Sequence, residues 1–520
     1  MGLRQALVDK GKQALLRPSV MRWVSDDRVM KATEGLLDAR GRLKAAWSVL
    51  KNGHELPNID PALDENIGRN APEAKSNGQT NGASNGQAKN GQATSAAKDI
   101  SSGSTDMDES MKERTSLASI GGKDVFEKAF KFMAADNARK MGIYPFFRPL
   151  DFNDGPEAEI NGKRVLMLGS NNYLGLTKHP KVREAARNAI DRFGTSMTGS
   201  RLVNGSMKLH EELEQKLAVF MGKESALVFT TGYQVNLATC AALLSNKQSV
   251  AFIDRNVHAS LYDGVRLGQA AGAKLVRYKH NDAESLDRAL EKLDAGDGAF
   301  VITDGVFSAE GEIAKLDELV PVVKKHGARL LVDDAHAVGV IGPGGRGTAH
   351  SFGLQDQVDL IGGTFSKSFA SIGGYLVGER KVLDYVRHFA PSFMFAASAA
   401  PPSVAAAMAS LDVMQEETWR MDKLRENFTY MRDELRKLGF ELGHTQTAVI
   451  PIYIRQDLRT IMMWRDLLEE HGIYTNPFIS PGVPPKSAML RTSYMATHER
   501  HHLDRALEAF AKVGKKYGVI

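Results

Sequence analysis

Three short stretches carry, in chain order, side chains that could act on one molecule: TDGVFSAEGE (303–312), LLVDDAHAVGVIG (330–342) and GTFSKSFASIGG (363–374). In the second, Asp333 ends an apolar run and His336 follows three residues later. In the third, Lys367 sits among serine, glycine and alanine. A lysine with small, partly desolvated neighbours is neutral often enough to attack an aldehyde. A carboxylate at the carboxyl edge of a strand, where ligands bind in open sheets, can keep a pyridine nitrogen protonated, so that the ring accepts electrons from a substrate. Together these are the requirements of pyridoxal 5'-phosphate (PLP). Lys367 is placed to form the Schiff base, Asp333 to meet the ring nitrogen and His336 to reach the ring hydroxyl. Asp334 is expected to face away, because successive strand residues point to opposite faces.

The rest of such a site can be sought by the same chemistry. A phosphate needs backbone N–H groups at a helix N-terminus, together with hydroxyls. FTTGYQVN (229–236) offers them: after the strand-like ALVFT come Thr231, Gly232 and Tyr233, opening an apolar helix. Thr364 and Ser366, just before the lysine, add hydroxyls. His258 in DRNVHASLYDG is the candidate to lie flat against one ring face. Arg491 in AMLRTSYMATHE offers the guanidinium fork that best holds an amino-acid carboxylate.

The elements that must position these groups alternate. Helical segments such as KVREAARNAIDRF and MKLHEELEQKLAVF are interleaved with short apolar runs, SALVF, VAFI, KLVRY, AFVIT, RLLVD and DLIGG. That alternation predicts an α/β fold with a mainly parallel sheet covered by helices. After about residue 401 a smaller α+β region is predicted, with strands near 449–454 and 488–493 and a closing helix near 503–517. The organisation expected is a helical N-terminal extension (1–65), a low-complexity linker (66–110), an N-terminal arm of the catalytic region (111–170), a large PLP-binding domain (171–400) and a small C-terminal domain (401–520). The linker is rich in Asn, Gly, Gln and Ser and has little apolar surface to offset chain entropy.

With 520 residues the chain can bury a large core, and its net charge of +5 is small for that length. Nothing in it argues for nucleic acid as a partner. Cys240 is the only cysteine, which rules out an internal disulfide and argues against a cysteine-built metal site. No apolar run approaches the length that spans a bilayer and no secretory signal is evident, so a cytoplasmic location is expected. Residues 1–65 are basic and apolar by turns. They suit either peripheral contact with an anionic membrane surface or packing of an accessory helical pair on the main body or a partner.

From about residue 142 onwards the chain resembles the α-oxoamine synthases, a fold-type I family of PLP-dependent transferases. The resemblance rests on NNYLGL, TGSRLVNG followed by LHEELEQKLA, FTTGYQVN, the HAS of DRNVHAS, DGVFSAEGE, VDDAHAVGVIG, GTFSKSF and LRTSYMATH. It implies a homodimer with the site at the subunit interface. It also implies that Lys367, Asp333, His336 and His258 have the roles given above. Gly232, Tyr233, Ser308 and Thr364 would be cofactor contacts, and Asn172 and Arg491 substrate-side residues. The reaction implied is decarboxylative condensation of an amino acid with an acyl thioester, carried on coenzyme A or an acyl carrier protein, to give an α-amino ketone. TGSRLVNG and NPFISPGVPP…LRTSYMATH look most like the bacterial serine palmitoyltransferase type, which points to serine and a long acyl chain. Glycine with an acetyl group and alanine with a pimeloyl group are the alternatives, followed by an aminotransferase or a non-catalytic partner subunit. Two departures stand out. The usual DEAH followed by Gly or Ser is here DDAH followed by Ala337. FMFAASAAPP has Ala396 and Ala397 where hydroxyl residues are common, leaving Ser398 as the only hydroxyl for a cross-subunit phosphate contact.

Overall fold

The structure is a computed structural model that describes residues 124–520. The expected helical extension (1–65), linker (66–110) and first part of the arm (111–123) lie outside the described residues. Of those described, 138–520 form one compact unit, and 124–137 belong to another that carries the short helix Glu127–Phe130.

The larger unit is built on three sheets. Strands β1 (Phe152–Asn153), β2 (Glu157–Ile160) and β3 (Lys163–Met167) form an antiparallel meander. The central sheet has seven strands: β4 (Ser225–Phe229), β5 (Ser249–Asp254), β6 (Lys274–Tyr278), β7 (Gly298–Asp304), β8 (Arg329–Asp333), β9 (Leu360–Thr364) and β10 (Gly374–Gly378). Their spatial order is β4-β10-β9-β8-β7-β5-β6. Neighbours from β9 to β6 pair in parallel, and β10 alone is reversed, running antiparallel to both β9 and β4. The third sheet, β11 (Val449–Tyr453), β14 (Met489–Ser493) and β13 (Asn476–Phe478), is antiparallel. A short β12 (Ile473–Tyr474) pairs in parallel with β3 and so ties the first sheet to the C-terminal region.

The six apolar runs read from the sequence are β4 to β9, and both expected C-terminal strands and the closing helix (Arg500–Lys516) are present. This is the fold-type I α/β architecture, a mostly parallel large sheet followed by a smaller α+β part. The inner parallel strands are largely apolar because helices such as Gly232–Leu243 and Leu316–Lys325 pack on them, whereas the edge strand β6 carries exposed Lys274 and Arg277. Leu331, Val332 and Ile361 are fully enclosed, each contributing roughly 1.5–3 kcal/mol of apolar burial. In the smaller part, helices Trp419–Lys437 and Asp457–His471 pack on the antiparallel sheet, and Arg500–Lys516 packs on those two helices.

The consequence for function lies at one edge. Asp304 pairs with Asp333 in the β7–β8 register, Thr364 ends β9, and the helix Gly232–Leu243 starts directly after β4. The carboxyl ends of four strands therefore converge, which is where ligands bind in open α/β sheets.

Candidate active site

A cavity of about 280 Å³ opens at that edge, lined by Thr231, Gly232, Tyr233, Asn236, His258, Ser260, Asp304, Val306, Asp333, Ala335, His336, Gly363, Thr364, Ser366, Lys367, Ile372 and Gly373. Nine residues singled out from the sequence share it: Thr231, Gly232, Tyr233, His258, Asp333, His336, Thr364, Ser366 and Lys367.

One end is built for an anion. Thr231 caps the helix Gly232–Leu243, its Oγ1 accepting from the Gln234 amide at 3.1 Å. The first amides of that helix lack intrahelical acceptors and carry the positive end of its dipole. Across from them, Thr364 Oγ1 and Ser366 Oγ lie 2.9 Å apart. Gly232 has to be a glycine, because a Cβ there would lie 2.7 Å from both Cβ and Oγ1 of Thr364. Gly232→Ala is therefore expected to push Thr364 out of the cradle and weaken PLP retention about tenfold. Titrating cofactor-free protein with PLP would measure this.

At the other end, Asp333 Oδ1 accepts from the Ala335 amide at 3.0 Å and Oδ2 from Asn236 Nδ2 at 2.6 Å. Asn236 Nδ2 also reaches Ser260 Oγ at 2.9 Å, and Ser260 Oγ lies 2.7 Å from His258 Nδ1. Asp333 and His258 are thus joined in one network. Burial lowers the His258 pKa, only partly opposed by Asp333, which keeps the imidazole neutral and suited to stacking. Asp304 fixes the His258 backbone amide at 3.2 and 3.3 Å to its two oxygens. Burial, followed by the charge of Asp333, raises the Asp304 pKa well above the carboxylate range.

Asp334 faces away, as the strand alternation requires. Its Oδ2 accepts from the Thr348 amide at 2.9 Å, and burial raises its pKa to about 7. His336 is held neutral by burial and by the charges of Lys367 and Arg491.

Burial lowers the Lys367 pKa to about 8; Asp333 opposes the shift and Arg491 adds to it. An amine that reacts only when neutral should capture PLP faster as pH rises from about 7 and level off by about pH 9. Stopped-flow absorbance would follow this. A rate still climbing beyond about pH 10 would mean an unperturbed amine.

Three expected residues lie outside the cavity lining. Ser308 contributes its backbone carbonyl, which accepts from Arg491 Nε at 2.6 Å. Asn172 donates from Nδ2 to Thr177 Oγ1 at 2.9 Å, and its buried Oδ1 has no partner among the described residues. Arg491, on β14 and 4 % exposed, is fixed by Ser308 and by Asn171 Oδ1 at 3.1 Å. Sequence reasoning missed Asn236 and Asn171, as well as Tyr173, whose hydroxyl lies 2.7 Å from His336 Nδ1. The signal for Asn236 was a lone amide in the apolar helix VNLATCAAL; for Asn171 no signal separated it from Asn172. Within the chain, Ser398 donates its amide to Gly199 O at 2.9 Å, and its hydroxyl is buried without a partner among the described residues.

The residues present fit PLP. One lysine lines the cavity, a buried carboxylate keeps its place through two donors, and a helix N-terminus faces two hydroxyls across a gap that only glycine leaves open. Among the described residues no group of His, Cys, Asp and Glu is placed to hold a metal ion, and no helix is long and apolar enough to cross a membrane.

Comparison with known proteins agrees. The aminotransferase class I and II family profile matches residues 163–510. A serine palmitoyltransferase of Sphingobacterium spiritivorum is 42% identical over 390 residues, covering 75% of this chain and 96% of that protein. Another, from Bacteriovorax stolpii, is 43% identical over 402 residues, covering 77% and 94%. Among solved structures, a serine palmitoyltransferase variant from S. paucimobilis with bound PLP and myriocin superposes with a TM-score of 0.74 at 35% identity, covering 76% of this chain and all of that one. The chain belongs to the aminotransferase class I and II family of PLP-dependent enzymes and, within it, to the α-oxoamine synthases.

Proposed function

We propose that this chain condenses L-serine with a long-chain acyl thioester, releasing the thiol and CO2 and leaving an α-amino ketone. The observation that carries the reading is a desolvated lysine, a buried acid and an anion-binding helix start meeting in one cavity, in a chain similar along most of its length to serine palmitoyltransferases. When bound, PLP supplies an electron sink that stabilises negative charge at the substrate α-carbon. Lys367 holds the cofactor, then takes the α-proton as a neutral amine with a pKa near the working pH. Asp333 retains a proton at the ring nitrogen and is itself kept from turning away by Asn236. His258 offers a neutral flat face, and His336 a neutral ring nitrogen for the ring hydroxyl. Thr231, Gly232, Tyr233, Thr364 and Ser366 receive the phosphate. Arg491 pairs with the serine carboxylate until it leaves as CO2.

The protein acts as a homodimer, with acyl-coenzyme A or an acyl carrier protein as donor. Residues 1–65 serve either as an accessory helical pair packing on the main body or a partner, or in peripheral contact with an anionic membrane surface. The test is turnover of purified, PLP-loaded protein with serine, glycine or alanine against acyl-coenzyme A of several lengths. Serine with a long chain is expected to dominate; preference for glycine with acetyl, or alanine with pimeloyl, would replace this assignment.

A further inference from the structure

Behind the cavity wall, the Tyr173 hydroxyl lies between the Arg491 guanidinium and His336. Arg491 Nη2 donates to Asn171 Oδ1 at 3.1 Å. The Tyr173 hydroxyl lies 3.4 Å from that same oxygen and 2.7 Å from His336 Nδ1. Tyr173 is 1 % exposed and does not line the cavity, whereas His336 does.

The phenol has one proton and two acceptors within reach. Asn171 Oδ1 is the farther of the two and already receives the guanidinium. The imidazole nitrogen is nearer and more basic, so the phenol donates to His336 Nδ1. Burial supports this by keeping the phenol protonated, its pKa raised to about 12. A neutral imidazole that accepts at Nδ1 carries its hydrogen on Nε2. His336 therefore presents an N–H donor to the cavity, and its ring cannot rotate without breaking a buried hydrogen bond.

We propose that Tyr173 is a positioning residue: its phenol donates to His336 Nδ1 and so sets the tautomer of that histidine, while its oxygen lies against the Arg491 guanidinium, which Asn171 also holds and which receives the amino-acid carboxylate. This rests on the roles given to Arg491 and His336 above. A phenol that only filled core space would affect stability alone. A relay makes Tyr173, Asn171 and Arg491 act on amino-acid binding as one unit, leaving acyl thioester binding untouched.

The test is a double-variant cycle on PLP-loaded protein, read as the serine dissociation constant from the change in cofactor absorbance. Tyr173→Phe and Asn171→Ala are each expected to weaken serine about tenfold, and the double variant by no more than about the larger single loss. The acyl thioester KM should stay at the wild-type value. Losses that multiply to about a hundredfold, or single variants that move only the unfolding temperature, would overturn the relay. Should Tyr173→Phe fail to fold, Asn171→Ala is paired with His336→Gln. No hydrogen bond joins Asn171 to His336 directly; coupling between them is expected by way of Arg491 and Tyr173, and simple multiplication would again overturn it. Wild-type protein that binds serine without acyl turnover would remove the acyl-transfer assignment and leave the relay standing. Wild-type protein whose absorbance ignores serine would remove both.

Discussion

Lys367→Ala is expected to give a folded protein that holds PLP weakly, shows no long-wavelength absorbance band and loses turnover by at least about three orders of magnitude. Lys367 is the only lysine lining the cavity among the described residues, so no neighbour can take over its bond to the cofactor. The fold should survive, because the loop around position 367 is held by its backbone and its aromatic neighbours. Ala370 N donates to Lys367 O at 2.9 Å and Ser371 N to Phe365 O at 2.8 Å. The rings of Phe365, Phe369 and Tyr375 lie within 5.2–6.0 Å of one another by centroid. Removing a buried amine also relieves a desolvation cost. An absorbance spectrum and a thermal melt of the variant check both halves of this expectation. A variant that stays coloured would exclude Lys367 as the attachment point.

The second large effect is expected from Asp333→Asn, which should lower turnover at least about a hundredfold while the protein still takes up PLP. The amide cannot hold a proton at the ring nitrogen. It would also set its own N–H2 against the Asn236 Nδ2 donor, or turn its carbonyl there and leave the ring facing N–H2; either way the short contact to Asn236 no longer serves the cofactor. A further consequence separates this account from a purely structural one. Asp333 is the charge that holds the Lys367 pKa up against burial. Removing it should lower that pKa further, so the pH curve of PLP capture shifts towards acid. An unchanged curve would mean that the two groups do not sense one another.

How much of this was legible in the sequence follows from what kind of contact each residue makes. Asp333, Thr364 and Thr231 sit at strand ends or a helix start, and an apolar run followed by a polar residue marks such places locally. The inner strands β5, β7, β8 and β9 were legible because parallel strands covered on both faces are largely apolar, and the edge strands β4 and β6 because short runs rich in apolar residues stand between helical segments. The strand β10, GYLVG, was not, since it holds two glycines in five residues and directly follows the glycine-rich lysine loop. Gly363, opposite it, is there because a Cβ would lie 2.4–2.6 Å from the Tyr375 ring, a close approach that no local pattern announces. Ser308 illustrates a second limit: the resemblance marked it as a cofactor contact, whereas here it lies outside the cavity lining and its carbonyl accepts from Arg491. The cluster of Arg491, Asn171, Tyr173 and His336 is hidden for a third reason. Its members are brought together by the packing of β14 on the loop after β3, across 163 residues between Tyr173 and His336 and 320 between Asn171 and Arg491.

The central claim is that one particular amine holds the cofactor. Borohydride reduction of PLP-loaded protein fixes the cofactor covalently to the lysine that carries it, and mass spectrometry of the digested protein then identifies that lysine. A single pyridoxyl group, on Lys367, is the expected result. A pyridoxyl group on any other lysine, or none at all, would contradict it.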